Sequence, residues 1–119
     1  MKTVLIVDDS AFMRRTVRNM LERNGFSIVG EAENGRVGVD KYKQLRPEVV
    51  TMDVIMSEMD GIRALEEIMR FNSNASVMMI SSMGQAPYVK EAITLGAKGF
   101  IVKPFNEKQI IDAVSRLMH

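Results

Sequence analysis

The 119-residue chain contains no cysteine and no tryptophan. Without cysteine there is no disulfide framework, no thiolate nucleophile and no cysteine-based metal site. Long apolar runs are also missing. Runs such as Val4-Leu5-Ile6-Val7 fall far short of the roughly 20 residues a membrane span needs. Asp8-Asp9 follows that run directly, which does not suit a signal-peptide core. Nor does one sign of charge dominate: 16 Lys and Arg face 15 Asp and Glu, for a net charge of +1. That balance argues against a nucleic-acid binder working through a basic surface. No internal repeat, linker or low-complexity stretch is visible. The expectation from these absences is a cytoplasmic protein with neither membrane nor nucleic acid among its partners.

What remains is the composition of a folded domain. Hydrophobic residues make up 46% and charged residues 26%, too apolar for a disordered chain. The length predicts one domain over residues 1–119. Methionine is the outlier, with 11 copies. Spacing puts Met13, Met20, Met69, Met78 and Met118 in the core. Met56, Met59 and Met83 fall in loops, where they are expected to offer an adaptable partner surface.

Short apolar runs alternate with helical periodicity. Thr3–Val7 reads as a strand, and residues 11–24 as a helix with Met13, Val17, Met20 and Leu21 on one face. Ser10 caps its start and Gly25 closes it. Ser27–Glu31 is a second, weaker strand. Asn34-Gly35 opens a helix whose inner face is Gly38, Val39, Tyr42 and Leu45. Gly38 in its interior costs up to about 1 kcal/mol relative to alanine. Pro47 ends the link to a third strand, Glu48–Met52. Asp60-Gly61 starts a helix with Ile62, Leu65, Ile68 and Met69 on one face. Ala75–Ile80 is the fourth strand. Pro87 suits the first turn of a helix running to about Leu95. Gly99–Val102 is the fifth strand, and a last helix carries Ile110, Ile111, Val114, Leu117 and Met118. Five βα units, with most strands apolar on both faces, predict a parallel sheet covered by helices on both sides with right-handed crossovers.

The chemistry follows the apolar runs. The first ends in Asp8-Asp9, the third in Asp53, the fourth in Ser81-Ser82 and the fifth in Lys103. Open α/β sheets bind ligands at the carboxyl ends of their strands. Taken alone, Asp8-Asp9 reads as helix capping. Three carboxylates meeting at one edge must instead protonate, pair or hold a cation. Carboxylates with backbone carbonyls and waters suit Mg²⁺. Asp53, alone on the third strand, is the candidate nucleophile toward phosphorus, giving an acyl phosphate. Lys103 supplies positive charge to the transferring group, and a cis Lys103-Pro104 bond would aim its ammonium inward. Ser81 is placed to hydrogen-bond a phosphoryl oxygen. Arg14, Arg15, Arg18 and Arg23 on the first helix read either as a solvated face or as a docking surface beside the acids. The single, terminal His119 is assigned no role.

Asp8-Asp9, Met52-Asp53, Met59-Asp60-Gly61, Ser81 and Lys103-Pro104-Phe105 together resemble the receiver domain of two-component response regulators. The Ser82-Met83-Gly84-Gln85 stretch and the length make the chain most similar to stand-alone chemotaxis regulators of the CheY type. The resemblance implies a flavodoxin-like (βα)5 three-layer sandwich, with its parallel sheet in the order 2-1-3-4-5. It implies a single receiver domain, a monomer, that catalyses only its own phosphoryl transfer and dephosphorylation. A histidine kinase of the CheA type would supply the phosphoryl group to Asp53. Mg²⁺ would be held by Asp9 and Asp53 directly, Asp8 mostly through water, and the Ile55 carbonyl. Phosphorylation would draw in Ser81 and let Phe100 turn inward, a two-state switch. The face of the fourth helix, fifth strand and fifth helix would then bind a flagellar motor switch protein or another protein target. A phosphatase is a possible further partner. A phosphorelay intermediate, or a receiver excised from a longer regulator, fits the same residues. An Asp-nucleophile phosphatase of the haloacid dehalogenase type does not, because Asp8-Asp9-Ser10 lacks the Asp-x-Asp spacing. A flavin site would be repelled by Asp8-Asp9.

Several positions depart from the common receiver pattern. Ser57 stands where many receivers have proline. Phe100 replaces a common tyrosine, so the switch would work by packing alone. Ile55 and Met83 flank the site and are apolar, so neither can align an attacking water by hydrogen bonding. Slow self-dephosphorylation is the expectation.

Overall fold

The computed structural model describes residues 2–82 and 86–118. Strands and helices alternate along the chain: β1 (Thr3–Val7), α1 (Ala11–Arg23), β2 (Ser27–Ala32), α2 (Gly35–Leu45), β3 (Val49–Asp53), α3 (Gly61–Phe71), β4 (Val77–Ser81), α4 (Ala86–Leu95), β5 (Gly99–Val102) and α5 (Glu107–Ser115). All strand pairs are parallel, and the order across the sheet is β2-β1-β3-β4-β5. This is the flavodoxin-like arrangement.

Alternation along the strands divides the core in two. Leu5, Val7, Val50, Met52, Val77 and Met79 face α2, α3 and α4, packing against Val39, Ala64, Leu65, Ile68 and Ala92. Val4, Ile6, Val49, Met78 and Ile80 face α1 and α5, packing against Val17, Leu21, Ile110 and Val114. β1, β3 and β4 are buried on both faces almost throughout. The edge strands are not. β2 is only partly buried, and β5 alternates between half-buried and exposed residues. Lys103 thus follows an edge strand whose Phe100 and Val102 are exposed, not a strand buried on both faces.

The caps stand where the sequence placed them. The side chains of Ser10, Asn34 and Asp60 accept from the backbone N–H groups of Met13, Val37 and Arg63. Each satisfies a donor the first helical turn leaves open. Gly25 follows α1 with a positive φ of 87°. α5 begins with a reciprocal capping box between Asn106 and Gln109, a pairing the sequence reading did not single out. Gly38 has a packing cause: a Cβ there would lie 2.9 Å from Val7 Cγ1, so its helix-propensity cost allows α2 to lie close on β1.

Other details differ from the sequence expectations. Leu45 ends α2 exposed rather than on its inner face. α5 stops at Ser115, although Leu117 and Met118 still pack on the second cluster. Met56 and Met59 are buried within the first cluster, so they form core and not a partner surface. Met83 and His119 lie outside the described residues. No helix among the described residues is long and apolar enough to cross a membrane.

Candidate functional site

The strand order reverses direction between β1 and β3, which are neighbours although β2 lies between them in sequence. A crevice at such a point, beyond the carboxyl ends of the strands, is where this architecture places its ligands. Asp8 and Asp9 leave β1 there, and Asp53 is the last residue of β3. One carboxylate oxygen from each of the three lies within 4.8 Å of the others. Lys103, just after β5, reaches into the group. Its Nζ is 3.2 Å from Asp53 Oδ1 and 3.7 Å from Asp8 Oδ2. The Lys103-Pro104 bond is cis, and the Lys103 amide donates to the Ser81 carbonyl at 2.7 Å. The structure thus brings Asp8, Asp9, Asp53, Ser81 and Lys103 to one edge.

Two tight backbone approaches shape the floor. The Gly61 amide donates to the Val54 carbonyl at 2.8 Å, and a Cβ on Gly61 would lie 1.9 Å from the Asp53 carbonyl oxygen. Only glycine lets α3 start that close to the end of β3. The Gly35 amide donates to the Met59 carbonyl at 2.9 Å, drawing the loop after β3 toward α2. These contacts turn Met56 and Met59 inward and leave Ile55, Ser57 and Glu58 outside.

The electrostatics are unusual for carboxylates. Asp8 and Asp53 are buried, Asp9 exposed. Burial pushes the Asp53 carboxyl up to about 6, with repulsion from Asp8 adding and Lys103 opposing. Burial also raises Asp8, against the Ser10 amide and Lys103. Asp8 Oδ1 accepts from that amide at 2.9 Å, but Asp8 Oδ2 is buried with no hydrogen-bond partner among the described residues. A buried, orphaned carboxylate oxygen beside two other carboxylates fits a hard divalent cation. The donor set is all oxygen, as Mg²⁺ requires.

Ser81 is buried, while Phe100 points outward at 48% exposure. Beside Lys103 an apolar hollow of about 380 Å³ is lined by Met13, Thr16, Met20, Ser82, Pro104 and Phe105. The arginines of α1 do not form one solvated face. Arg14 and Arg18 both pair with Glu31 on β2, and Arg23 pairs with Glu107. Arg15 is exposed. No periodicity signals the Glu31 anchor, because it joins residues on separate elements.

A family model described as the response regulator receiver domain matches residues 4–115. The chain belongs to this family. It is 49% identical to the chemotaxis protein CheY of Thermotoga maritima over 98% of this chain and 97% of that protein. It is 50% identical to Protein CcdB of Bacillus subtilis over 99% of this chain and 98% of that protein. Among solved structures it resembles a chain of the CheX–CheY–BeF3–Mg²⁺ complex from Borrelia burgdorferi. That likeness has a TM-score of 0.92 and 40% identity, and covers 97% of this chain and 87% of that one. The chain is therefore a receiver domain closely related to CheY.

Proposed function

We propose that this receiver accepts a phosphoryl group on Asp53 from a phosphohistidine of a CheA-like kinase and, in that state, binds a protein target in chemotaxis. The observation that carries the reading is the 3.2 Å approach of Lys103 Nζ to Asp53 Oδ1 within a cluster of three carboxylates. An Asp53 carboxylate oxygen attacks phosphorus, the phosphorus–nitrogen bond breaks, and the imidazole departs with the electron pair. Ionised Asp53 is the nucleophile, so a proton held on its buried carboxyl opposes attack and a cation beside it favours attack. Lys103 contributes positive charge next to the oxygen that attacks. Asp8, Asp9 and Asp53, with the Ile55 carbonyl, are the residues that would hold Mg²⁺. When bound, the ion supplies charge neutralisation for the phosphoryl oxygens.

Once Asp53 is phosphorylated, Lys103, 3.2 Å from its carboxylate, and Ser81, at the end of the neighbouring strand β4, are the groups we assign to the added charge. Ser81 and outward-facing Phe100 lie on neighbouring strands β4 and β5, so a shift at Ser81 has a short path to Phe100. Exposed apolar side chains occur on two elements: Phe100 and Val102 on β5, and Tyr88 and Ile93 on α4. That face of α4, β5 and α5 is the one we assign to the target. The hollow beside Lys103, walled by α1 and the chain after β5, is the surface we assign to the phosphodonor. The test is an intact-mass measurement after incubation with acetyl phosphate and Mg²⁺. One added phosphoryl group is expected, lost in Asp53→Asn and on chelation. No gain, or a gain that survives the substitution, overturns the reading.

A further inference from the structure

Arg14 faces none of the reacting groups, yet it is tied to the backbone that carries them. Its Nη1 donates to the Asp8 carbonyl at 2.7 Å, and its Nε to Glu31 Oε1 at 3.2 Å. Only 17% of the side chain is exposed. The far end of this bridge is itself fixed. Arg18 Nε donates to Glu31 Oε2 at 2.6 Å, and Lys41 Nζ donates to the Glu31 carbonyl. At the near end, the Asp8 amide donates to the Ala32 carbonyl at 3.0 Å. The carbonyl that Arg14 grips belongs to the peptide joining Asp8 to Asp9. Asp9 is exposed, so the direction of its side chain follows that of the peptide it stands on. A charge-assisted bond from a guanidinium, anchored at both ends, is suited to hold a peptide plane.

We propose that Arg14 is a positioning residue for divalent-cation binding: it clamps the Asp8–Asp9 peptide to Glu31 and so sets how Asp9 presents its carboxylate to Asp8 and Asp53. The inference rests on the reading of the acid cluster as a cation site. Arg18 provides the internal control. It shares Glu31 with Arg14 but donates no hydrogen bond to Asp8, and Lys41 still holds the Glu31 backbone when Arg18 is replaced.

The experiment titrates Mg²⁺ alone into the full chain by calorimetry, for the wild type and for Arg14→Gln, Arg14→Lys and Arg18→Gln. Far-UV circular dichroism checks that each is folded. Groups that orient metal ligands typically govern about a tenfold or larger factor in affinity. Arg14→Gln is therefore expected to weaken Mg²⁺ binding by about tenfold, and Arg18→Gln by less than about twofold. Arg14→Lys, which keeps the charge and a donor, recovers part of the loss. In acetyl phosphate labelling, the half-saturating Mg²⁺ concentration rises in Arg14→Gln while the maximal rate is kept. Unchanged Mg²⁺ affinity in Arg14→Gln overturns the inference. So does equal weakening by Arg18→Gln, or a lower maximal rate without a shift in half-saturation. Failure of the wild type to bind Mg²⁺ instead overturns the reading of the site, and this inference with it.

Discussion

Replacing Asp53 by asparagine should make the metal-free protein more stable at neutral pH. Asp53 is buried beside Asp8, and its carboxyl is pushed from 3.8 to about 6. A carboxyl held above its unfolded value binds its proton more tightly when folded. Its relative stability is fully present below about pH 3.8 and is lost as pH rises through about 6. At 1.36 kcal/mol per pH unit, keeping Asp53 ionised in the fold costs about 3 kcal/mol above pH 6. Asparagine has the same shape, carries no charge and offers an N–H to the orphaned Asp8 Oδ2. Urea unfolding in a chelator should give Asp53→Asn an advantage approaching 3 kcal/mol at about pH 7.5. That corresponds to a melting temperature higher by on the order of 10 °C. At about pH 4 the advantage should shrink below about 1 kcal/mol. Saturating Mg²⁺ should narrow it at neutral pH by stabilising the wild type alone. Equal stability of the two proteins at neutral pH, or an advantage that does not change with pH, would refute the reasoning.

Four further outcomes can be checked directly. Thr51→Val should stabilise the protein by about 1–2 kcal/mol in urea unfolding, because Thr51 Oγ1 is buried without a hydrogen-bond partner among the described residues. Gly61→Ala should cost about 3 kcal/mol or more, since its Cβ would meet the Asp53 carbonyl oxygen. Gly25→Ala, with a positive φ but nothing within 4 Å of the new Cβ, should cost only about 1 kcal/mol. The phosphorylated protein, freed of donor, should keep its phosphoryl group for longer than minutes, because exposed Ile55 beside the site cannot align water by hydrogen bonding. Decay within minutes, followed by intact mass, would contradict this.

Much of the fold was legible because its signals are local. β1 and β5 have the predicted bounds, and Ser10, Asn34 and Asp60 cap the predicted helices. The site was legible for a related reason: a parallel sheet sends every strand's carboxyl end to one edge. A charged residue after each apolar run thus maps onto the site without knowledge of packing. Strand order is different. It depends on which face each crossover takes, which periodicity does not record, and it came only through resemblance. Loop direction was hidden too. Met56 and Met59 look like loop residues in sequence, but the Gly61–Val54 and Gly35–Met59 hydrogen bonds fold them into the core. Arg14 and Arg18 looked like surface charge because their partner, Glu31, sits on β2.

The central claim is that Asp53, and neither Asp8 nor Asp9, carries the phosphoryl group. The most direct test traps the acyl phosphate by borohydride, which reduces the phosphorylated aspartate to homoserine, and then sequences the peptides by mass spectrometry. The account predicts homoserine at position 53 and unmodified aspartate at 8 and 9. Homoserine at position 8 or 9, or nowhere in a protein that has gained a phosphoryl group, would contradict it.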